Sequence, residues 1–153
     1  MYLKKYLEQY KDKRIKLFVD MDGVIADYIF ELAAKDYDKK RPLYDSIKKL
    51  EIVSKMPNVE MFIFSATRRT EGFEQKNWWL DNYAPFFERN NRIIISREAN
   101  SMEKSAILKA NYLKNYTRDD SIIIVIDDDP KNLKEIHKLN KDVILLKDTV
   151  LVD

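Results

Sequence analysis

The sequence predicts a three-layer α/β fold, in which helices cover both faces of a doubly wound parallel sheet. Apolar runs typical of strands alternate along the chain with helical patterns, which is the order that parallel βαβ units require. The run Ile-Ile-Ile-Val-Ile at residues 122–126 has no polar alternation, as expected for a central parallel strand buried on both faces. With 153 residues, of which 45% are hydrophobic, the chain fits one domain over residues 1–153 with a real core.

The predicted elements alternate strand and helix after an N-terminal extension. Residues 1–14 have apolar side chains at helical spacing, which predicts an amphipathic helix at the domain edge. Strands are predicted at residues 15–19, 59–64, 93–95, 122–126 and 143–146, and helices at residues 44–55, 71–83, 102–116 and 131–139. Pro130 supports the last helix, because proline is favoured in the first helical turn. Residues 24–44 leave room for one more helix, with Val24, Tyr28 and Leu32 on one face.

The composition excludes several classes of function. The chain has no cysteine, which excludes disulfides, thiolate metal sites and cysteine nucleophiles. No apolar run is long enough to cross a membrane and the charged N-terminus lacks a secretory pattern, so we expect a cytoplasmic protein without a membrane partner. The 28 basic and 26 acidic residues nearly balance, which gives no support to non-specific nucleic-acid binding as the main activity. Gly23 and Gly72 are too few for a glycine-rich phosphate loop.

The residues that follow four of the predicted strands are mostly acidic or hydroxylic. They are Asp20 and Asp22, then Ser65, Ala66 and Thr67, then Ser96 and Arg97, and finally Asp127, Asp128 and Asp129. In doubly wound sheets ligands bind beyond the carboxyl ends of the strands, so these residues form the candidate site. Several carboxylates in one crevice repel each other unless a cation relieves them, and hard oxygen ligands favour Mg²⁺. The pattern therefore predicts a Mg²⁺ site and an anionic substrate, although Asp129, before Pro130, fits a helix cap better.

Three of these strand ends resemble the motifs of a known family. Residues 18–27, Phe-Val-Asp-Met-Asp-Gly-Val-Ile-Ala-Asp, resemble motif I of the haloacid-dehalogenase (HAD) superfamily, and in particular the DMDGV core of the 5'(3')-deoxyribonucleotidases. Residues 61–65 and 122–128 are similar to motifs II and IV, and the nucleotidase resemblance extends through residues 75–79, 85–88 and 93–97. The resemblance implies a Rossmann-like HAD fold, with residues 24–44 as a minimal cap, and Mg²⁺-dependent phosphomonoester hydrolysis.

The resemblance also implies a role for each candidate residue. Asp20 would attack phosphorus to form an aspartyl-phosphate, and Asp22 would protonate the leaving oxygen and later activate water, for which it must hold a proton while Asp20 does not. Mg²⁺ would be held by Asp20, the backbone carbonyl of Asp22 and Asp127, with Asp128 as an auxiliary ligand. The substrate phosphate would contact Ser65, Ala66, Lys76, Arg97 and the motif III lysine. Lys104 is the first candidate for that lysine, and Lys109 or Arg97 is the next.

The expected substrate is a small phosphorylated compound. A nucleoside monophosphate, preferably deoxy, ranks first, the terminal phosphate of an oligonucleotide second, and another small phosphoester remains an alternative. The short cap predicts an open site with modest selectivity. A receiver-like module that accepts a phosphoryl group without turnover is the alternative from another class, but Asp22 favours a phosphatase because its acid/base role releases the phosphate. A phosphomutase-type transferase would generally bring a larger cap.

Overall fold

Five parallel strands form the central sheet of this protein. The structure is a computed structural model that describes residues 1–28 and 34–152, except the side chains of residues 34 and 35. The strands are β1 (Ile15–Val19), β2 (Val59–Thr67), β3 (Arg92–Ser96), β4 (Ile122–Asp127) and β5 (Ile144–Lys147). Their order across the sheet is β3-β2-β1-β4-β5, so the chain winds outward from β1 in both directions. This order confirms the predicted doubly wound fold and places a topological switch point between β1 and β4.

Helices cover both faces of the sheet in two separate layers. They are α1 (Tyr2–Glu8), α2 (Tyr44–Ser54), α3 (Gly72–Tyr83), α4 (Ser105–Asn115) and α5 (Pro130–Leu139). Helices α1 to α3 pack on the face that carries Leu17 and Val19, whereas α4 and α5 pack on the face that carries Phe18. This separation follows from the alternation of side chains along a strand. None of the helices in the described part of the chain has the length and apolar character needed to cross a bilayer.

Several elements end at other residues than predicted. Helix α1 ends at Glu8, short of the predicted extension to residue 14. Strand β2 continues to Thr67, three residues beyond the predicted end, because its backbone remains paired with β3 as far as Ser96. Helix α4 begins at Ser105 and not at Met102. Ser101 and Met102 have φ angles of 54° and 58°, which lie in the left-handed region and interrupt a right-handed helix.

The predicted helix of the cap segment is wrong for the residues that can be described. Val24 and Tyr28 lie outside any helix, and Leu32 lies outside the described residues. The described part of this segment holds 3₁₀ turns over Ala34–Lys39, which pack on α3. There the ring of Tyr37 meets Trp79 edge-on at 6.2 Å between ring centroids. This contact brings the segment over the carboxyl end of the sheet.

Candidate active site

Asp20 and Asp22 lie in a tight turn directly after β1. The amide of Asp20 still donates to the carbonyl of Ile126 at 3.0 Å, which fixes Asp20 at the switch point between β1 and β4. Gly23 has a φ of +80°, a conformation that side chains disfavour. A Cβ atom at Gly23 would also lie 2.0 Å from Oδ2 of Asp128. The glycine therefore allows both the turn and the close approach of Asp128.

Three carboxylates form an acidic cluster at this switch point: those of Asp20, Asp127 and Asp128, with one oxygen of each within 4.8 Å of the others. Burial raises the pKa of Asp20 to about 8, and the charges of Asp127 and Asp22 add to this effect. Burial, followed by the charge of Asp127, raises the pKa of Asp128 to about 6. Crowded carboxylates, of which Asp20 and Asp128 have raised pKa values, fit Mg²⁺, because a bound cation would favour their ionised forms.

Lys109 is the cation that contacts this cluster. Its Nζ atom lies 3.0 Å from Oδ1 of Asp20 and 2.8 Å from Oδ2 of Asp127, and the residue is 1% exposed. Burial alone would lower the pKa of Lys109, but the two carboxylates outweigh burial and raise the pKa above its usual range. Asn132 and the amide of Asp129 also donate to Asp127. The carboxylate of Asp127 is thus held by donors on several sides.

The position expected for the motif III lysine needs a correction. Lys104 precedes the first residue of α4 and its side chain is exposed, so the structure does not bring it to the aspartates. Lys109 lies one turn further along α4, on the stripe that also buries Ala110 and Leu113. In the sequence, Lys109 stands out as a lysine on the apolar stripe of a helix, and a lysine in such a position is seldom buried without a charged partner. Arg97 does not reach the aspartates either, because it donates to the backbone carbonyls of residues 102 and 103.

The carboxylate of Asp22 is paired with two lysines and stands outside the acidic cluster. Its Oδ1 atom lies 2.6 Å from Nζ of Lys40, and its Oδ2 atom lies 3.3 Å from Nζ of Lys76. Burial would raise the pKa of Asp22, but these two ammonium groups lower it to about 2. These charges run against the expectation that Asp22 holds a proton while Asp20 does not, because they lower the pKa of Asp22 whereas burial raises that of Asp20. Lys40 comes from the cap segment, and no sequence pattern indicated that it would reach Asp22.

Lys76 links Asp22 to the end of β2. Its Nζ atom donates to Oγ of Ser65 at 2.6 Å and to the carbonyl of Ala66 at 2.9 Å, and the residue is 3% exposed. The Ser65 hydroxyl accepts this bond, which leaves its proton for another acceptor. The ring of Tyr37 lies under this ammonium group, 5.0 Å from Nζ to the ring centroid.

The hydroxyl of Tyr37 is buried beside Asp22. It makes no hydrogen bond of regular geometry with the described residues. Burial, followed by the charge of Asp22, nevertheless raises its pKa well above the usual value. Tyr37 is therefore a neutral phenol in this site. Neither Tyr37 nor Lys40 was predicted, because both lie in the segment where the sequence indicated only a cap.

Several of the side chains described above line a crevice of about 410 Å³ at the carboxyl end of the sheet. Its walls are Asp20, Asp22, Tyr28, Ala66, Ser105, Lys109, Asp128, Asp129, Pro130 and Asn132. A depression of about 450 Å³ at the opposite end of the sheet is lined by residues 11–16, 57–60 and 121, and it contains none of these groups. The predicted residues that the structure brings to the crevice or its rim are Asp20, Asp22, Ser65, Ala66, Lys76, Asp127 and Asp128. Arg97 and Lys104 lie in a neighbouring groove.

No protein-family model matches this sequence, and no curated protein matches it significantly. Among solved structures, a chain of the Pnkp1/Rnl/Hen1 RNA repair complex is similar, with a TM-score of 0.69 and 14% identity over 89% of this chain and 42% of that chain. A chain of a second Pnkp1/Rnl/Hen1 structure is similar, with a TM-score of 0.67 and 13% identity over 88% of this chain and 46% of that chain. The chain thus spans less than half the length of these two.

A third solved structure is similar over most of its own length. It is the HAD domain of effector protein Lem4 from Legionella pneumophila, with a TM-score of 0.50 and 15% identity over 88% of this chain and 85% of that chain. Identities this low show the fold and leave the narrower resemblance to the 5'(3')-deoxyribonucleotidases a prediction. The five-stranded parallel sheet with helices on both faces is the fold of a HAD domain.

Proposed function

We propose that this chain is a Mg²⁺-dependent phosphomonoester hydrolase of the HAD type, with Asp20 as its nucleophile. The observation that carries the proposal is the position of Asp20. Its carboxylate lines the crevice at the topological switch point, belongs to the acidic cluster with Asp127 and Asp128, and contacts the ammonium group of Lys109. This arrangement supplies an oxygen nucleophile, a set of hard ligands and a fixed positive charge at one place.

The proposed reaction has two steps. An oxygen of Asp20 forms a bond to phosphorus while the bond from phosphorus to the leaving oxygen breaks, and water then hydrolyses the aspartyl-phosphate. The ionised Asp22 suits the second step, since it can accept a proton from the attacking water. For the first step Asp22 must already hold a proton. A phosphate that binds Lys76 would compete for one of the two cations that keep the pKa of Asp22 low.

The metal and the buried lysines would share the task of balancing charge. Asp20, Asp127 and Asp128 fit as carboxylate ligands, and the backbone carbonyl of Asp22 is a further ligand by resemblance. When bound, Mg²⁺ neutralises charge on the phosphoryl group and on the nucleophile. Lys109 orients the carboxylates of Asp20 and Asp127.

The proposed substrates are nucleotides in one of two forms. A nucleoside monophosphate follows from the nucleotidase resemblance of the sequence. The terminal phosphate of a polynucleotide is favoured by the fold similarity to chains of an RNA repair complex. A module that only accepts a phosphoryl group is disfavoured, because Asp22 stands two residues from Asp20 and can activate water.

Phosphate release from a panel of phosphate esters tests the proposal. We expect turnover with Mg²⁺ and none with a chelator, and no turnover by Asp20→Asn, because an amide is neither a nucleophile nor a good Mg²⁺ ligand. Asp142→Asn is the matched control, since Asp142 is exposed and, among the residues that the structure describes, pairs only with Arg118. Phosphate release by Asp20→Asn at the wild-type rate would refute the assignment. A stable phospho-protein without turnover would identify an acceptor module.

A further inference from the structure

A second groove adjoins the active-site crevice, between the N-terminal ends of α4 and α5. This α4–α5 groove has a volume of about 420 Å³, and four cationic side chains line it: Arg97, Lys104, Lys131 and Lys134. The groove and the crevice share three wall residues: Ser105, Asp129 and Asn132. A ligand that leaves the crevice past these residues enters the groove directly.

Positive charge is in excess in the groove, because its four cationic side chains face two acidic ones. Glu135 pairs with Lys138 at 2.9 Å, and Asp129 accepts a bond from the backbone amide of Lys131 at 2.9 Å. Lys131 and Lys134 are exposed, and neither forms an ion pair with a described residue. Exposed lysines are usually only solvated. Over the whole chain, however, basic and acidic residues number 28 and 26, so cations that converge in one groove are a local excess.

Arg97 and the start of α4 shape the wall of the groove. Arg97 donates from Nε to the carbonyl of Glu103 at 2.8 Å and from Nη2 to the carbonyl of Met102 at 3.2 Å, which fixes the loop before α4. The first turn of α4 has no side-chain cap and no acidic residue, and residues 105–107 line the groove. Their amide groups add to the positive potential that the side chains create.

We propose that the α4–α5 groove binds a second phosphate group of the substrate, next to the phosphate that is hydrolysed in the crevice. This inference rests on the proposed phosphatase function. The shared chemistry is a nucleotide with two phosphates separated by a sugar. Two kinds of substrate carry such a pair of phosphates. One is a polynucleotide end, with its terminal phosphate and the next phosphodiester, and the other is a nucleoside bisphosphate. A nucleoside monophosphate has no second phosphate to place in the groove. We therefore expect substrates with two phosphates to be preferred.

Steady-state kinetics with Mg²⁺ at fixed salt test the second subsite. The substrates are a nucleoside 5'-monophosphate, the corresponding 3',5'-bisphosphate and a 5'-phosphorylated trinucleotide. We expect kcat/KM to be at least about tenfold higher for one of the two-phosphate substrates than for the monophosphate, as charge-assisted contacts to a second phosphate would provide. A preference for the trinucleotide assigns a polynucleotide end, and a preference for the bisphosphate alone assigns the small nucleotide. Equal kcat/KM for all three overturns the proposal.

Paired lysine variants show whether the groove causes the preference. We expect Lys131→Ala with Lys134→Ala to bring the preference down to about twofold or less. The control is Lys114→Ala with Lys141→Ala, which removes the same charge at the other ends of α4 and α5, where both lysines are exposed. This control should keep the preference. An equal loss in both double variants would mean that only the net charge matters, and would overturn the subsite.

Binding separates a failure of this inference from a failure of the proposed function. If the wild-type protein releases no phosphate from any ester, the phosphatase proposal fails. Fluorescence anisotropy of a labelled 5'-phosphorylated trinucleotide still measures the groove. Weaker binding by the groove variant than by the control variant supports the subsite without turnover. Equal binding by the two variants overturns it.

Discussion

Replacement of Lys109 by methionine gives a sharp test of the charge arrangement in the crevice. The ammonium group is buried and lies 3.0 Å from Asp20 and 2.8 Å from Asp127. Methionine keeps most of the length of the side chain and its packing in α4, but it removes the charge. Two buried carboxylates then face each other without the cation between them, so the native state should lose stability.

The size of this loss follows from the contacts. Removal of one partner from a buried ion pair costs roughly 3–5 kcal/mol. The pKa of Asp20 is raised to about 8, so below that pH Asp20 carries a proton and the ammonium group is paired chiefly with Asp127. Above that pH Asp20 is ionised, and its charge depends on Lys109 as well. We therefore expect the loss to lie near about 3 kcal/mol at pH 7 and to increase towards about 5 kcal/mol at pH 9.

Urea denaturation followed by circular dichroism, in the presence of a chelator, measures the free energy of unfolding. Lys104→Met is the matched control, because Lys104 is exposed and a surface change of this kind alters stability by about 0.5 kcal/mol or less. Added Mg²⁺ should restore part of the loss in Lys109→Met, since the ion supplies a replacement charge. A loss below about 1 kcal/mol in Lys109→Met, or an equal loss in Lys104→Met, would refute this reasoning.

Four further outcomes are expected. Gly23→Ala should destabilise the fold by about 1–3 kcal/mol and weaken Mg²⁺ binding in calorimetry, because its Cβ would meet Asp128; normal binding would contradict this. Asp22→Asn should retain Mg²⁺ binding but slow turnover by about 10²- to 10⁴-fold in kinetic assays, and unchanged turnover would exclude its acid/base role. Lys40→Met should raise the pKa of Asp22, which NMR titration measures. The ionised Asp22 stabilises the fold, and this contribution, which is lost as pH falls towards 2, should be smaller in the variant. Mg²⁺ should raise the Tm of the wild type but not of Asp127→Asn.

The sequence by itself was sufficient to predict the sheet and the two aspartate-bearing strand ends. A strand buried on both faces is apolar, so β4, and β1 apart from Lys16, are visible as apolar runs followed by Asp127 and Asp20. In a parallel sheet the carboxyl ends of the strands lie at one edge, so this rule places both aspartates at that edge. The strand order that makes β1 and β4 neighbours, and so forms the acidic cluster, comes from the tertiary structure.

Only the tertiary structure decided which cations meet those aspartates. Lys104 precedes α4 and Lys109 lies one turn inside it, and only the exact start of α4 shows which one faces the sheet. Lys40 reaches Asp22 because Tyr37 and its neighbours pack on α3, a contact between segments distant in sequence. Hydrophobic periodicity describes one element at a time. The charge on Asp22 depends on three parts of the chain: its own turn after β1, the cap segment with Lys40, and α3 with Lys76. The pKa order of Asp20 and Asp22 could not be read from the sequence for that reason.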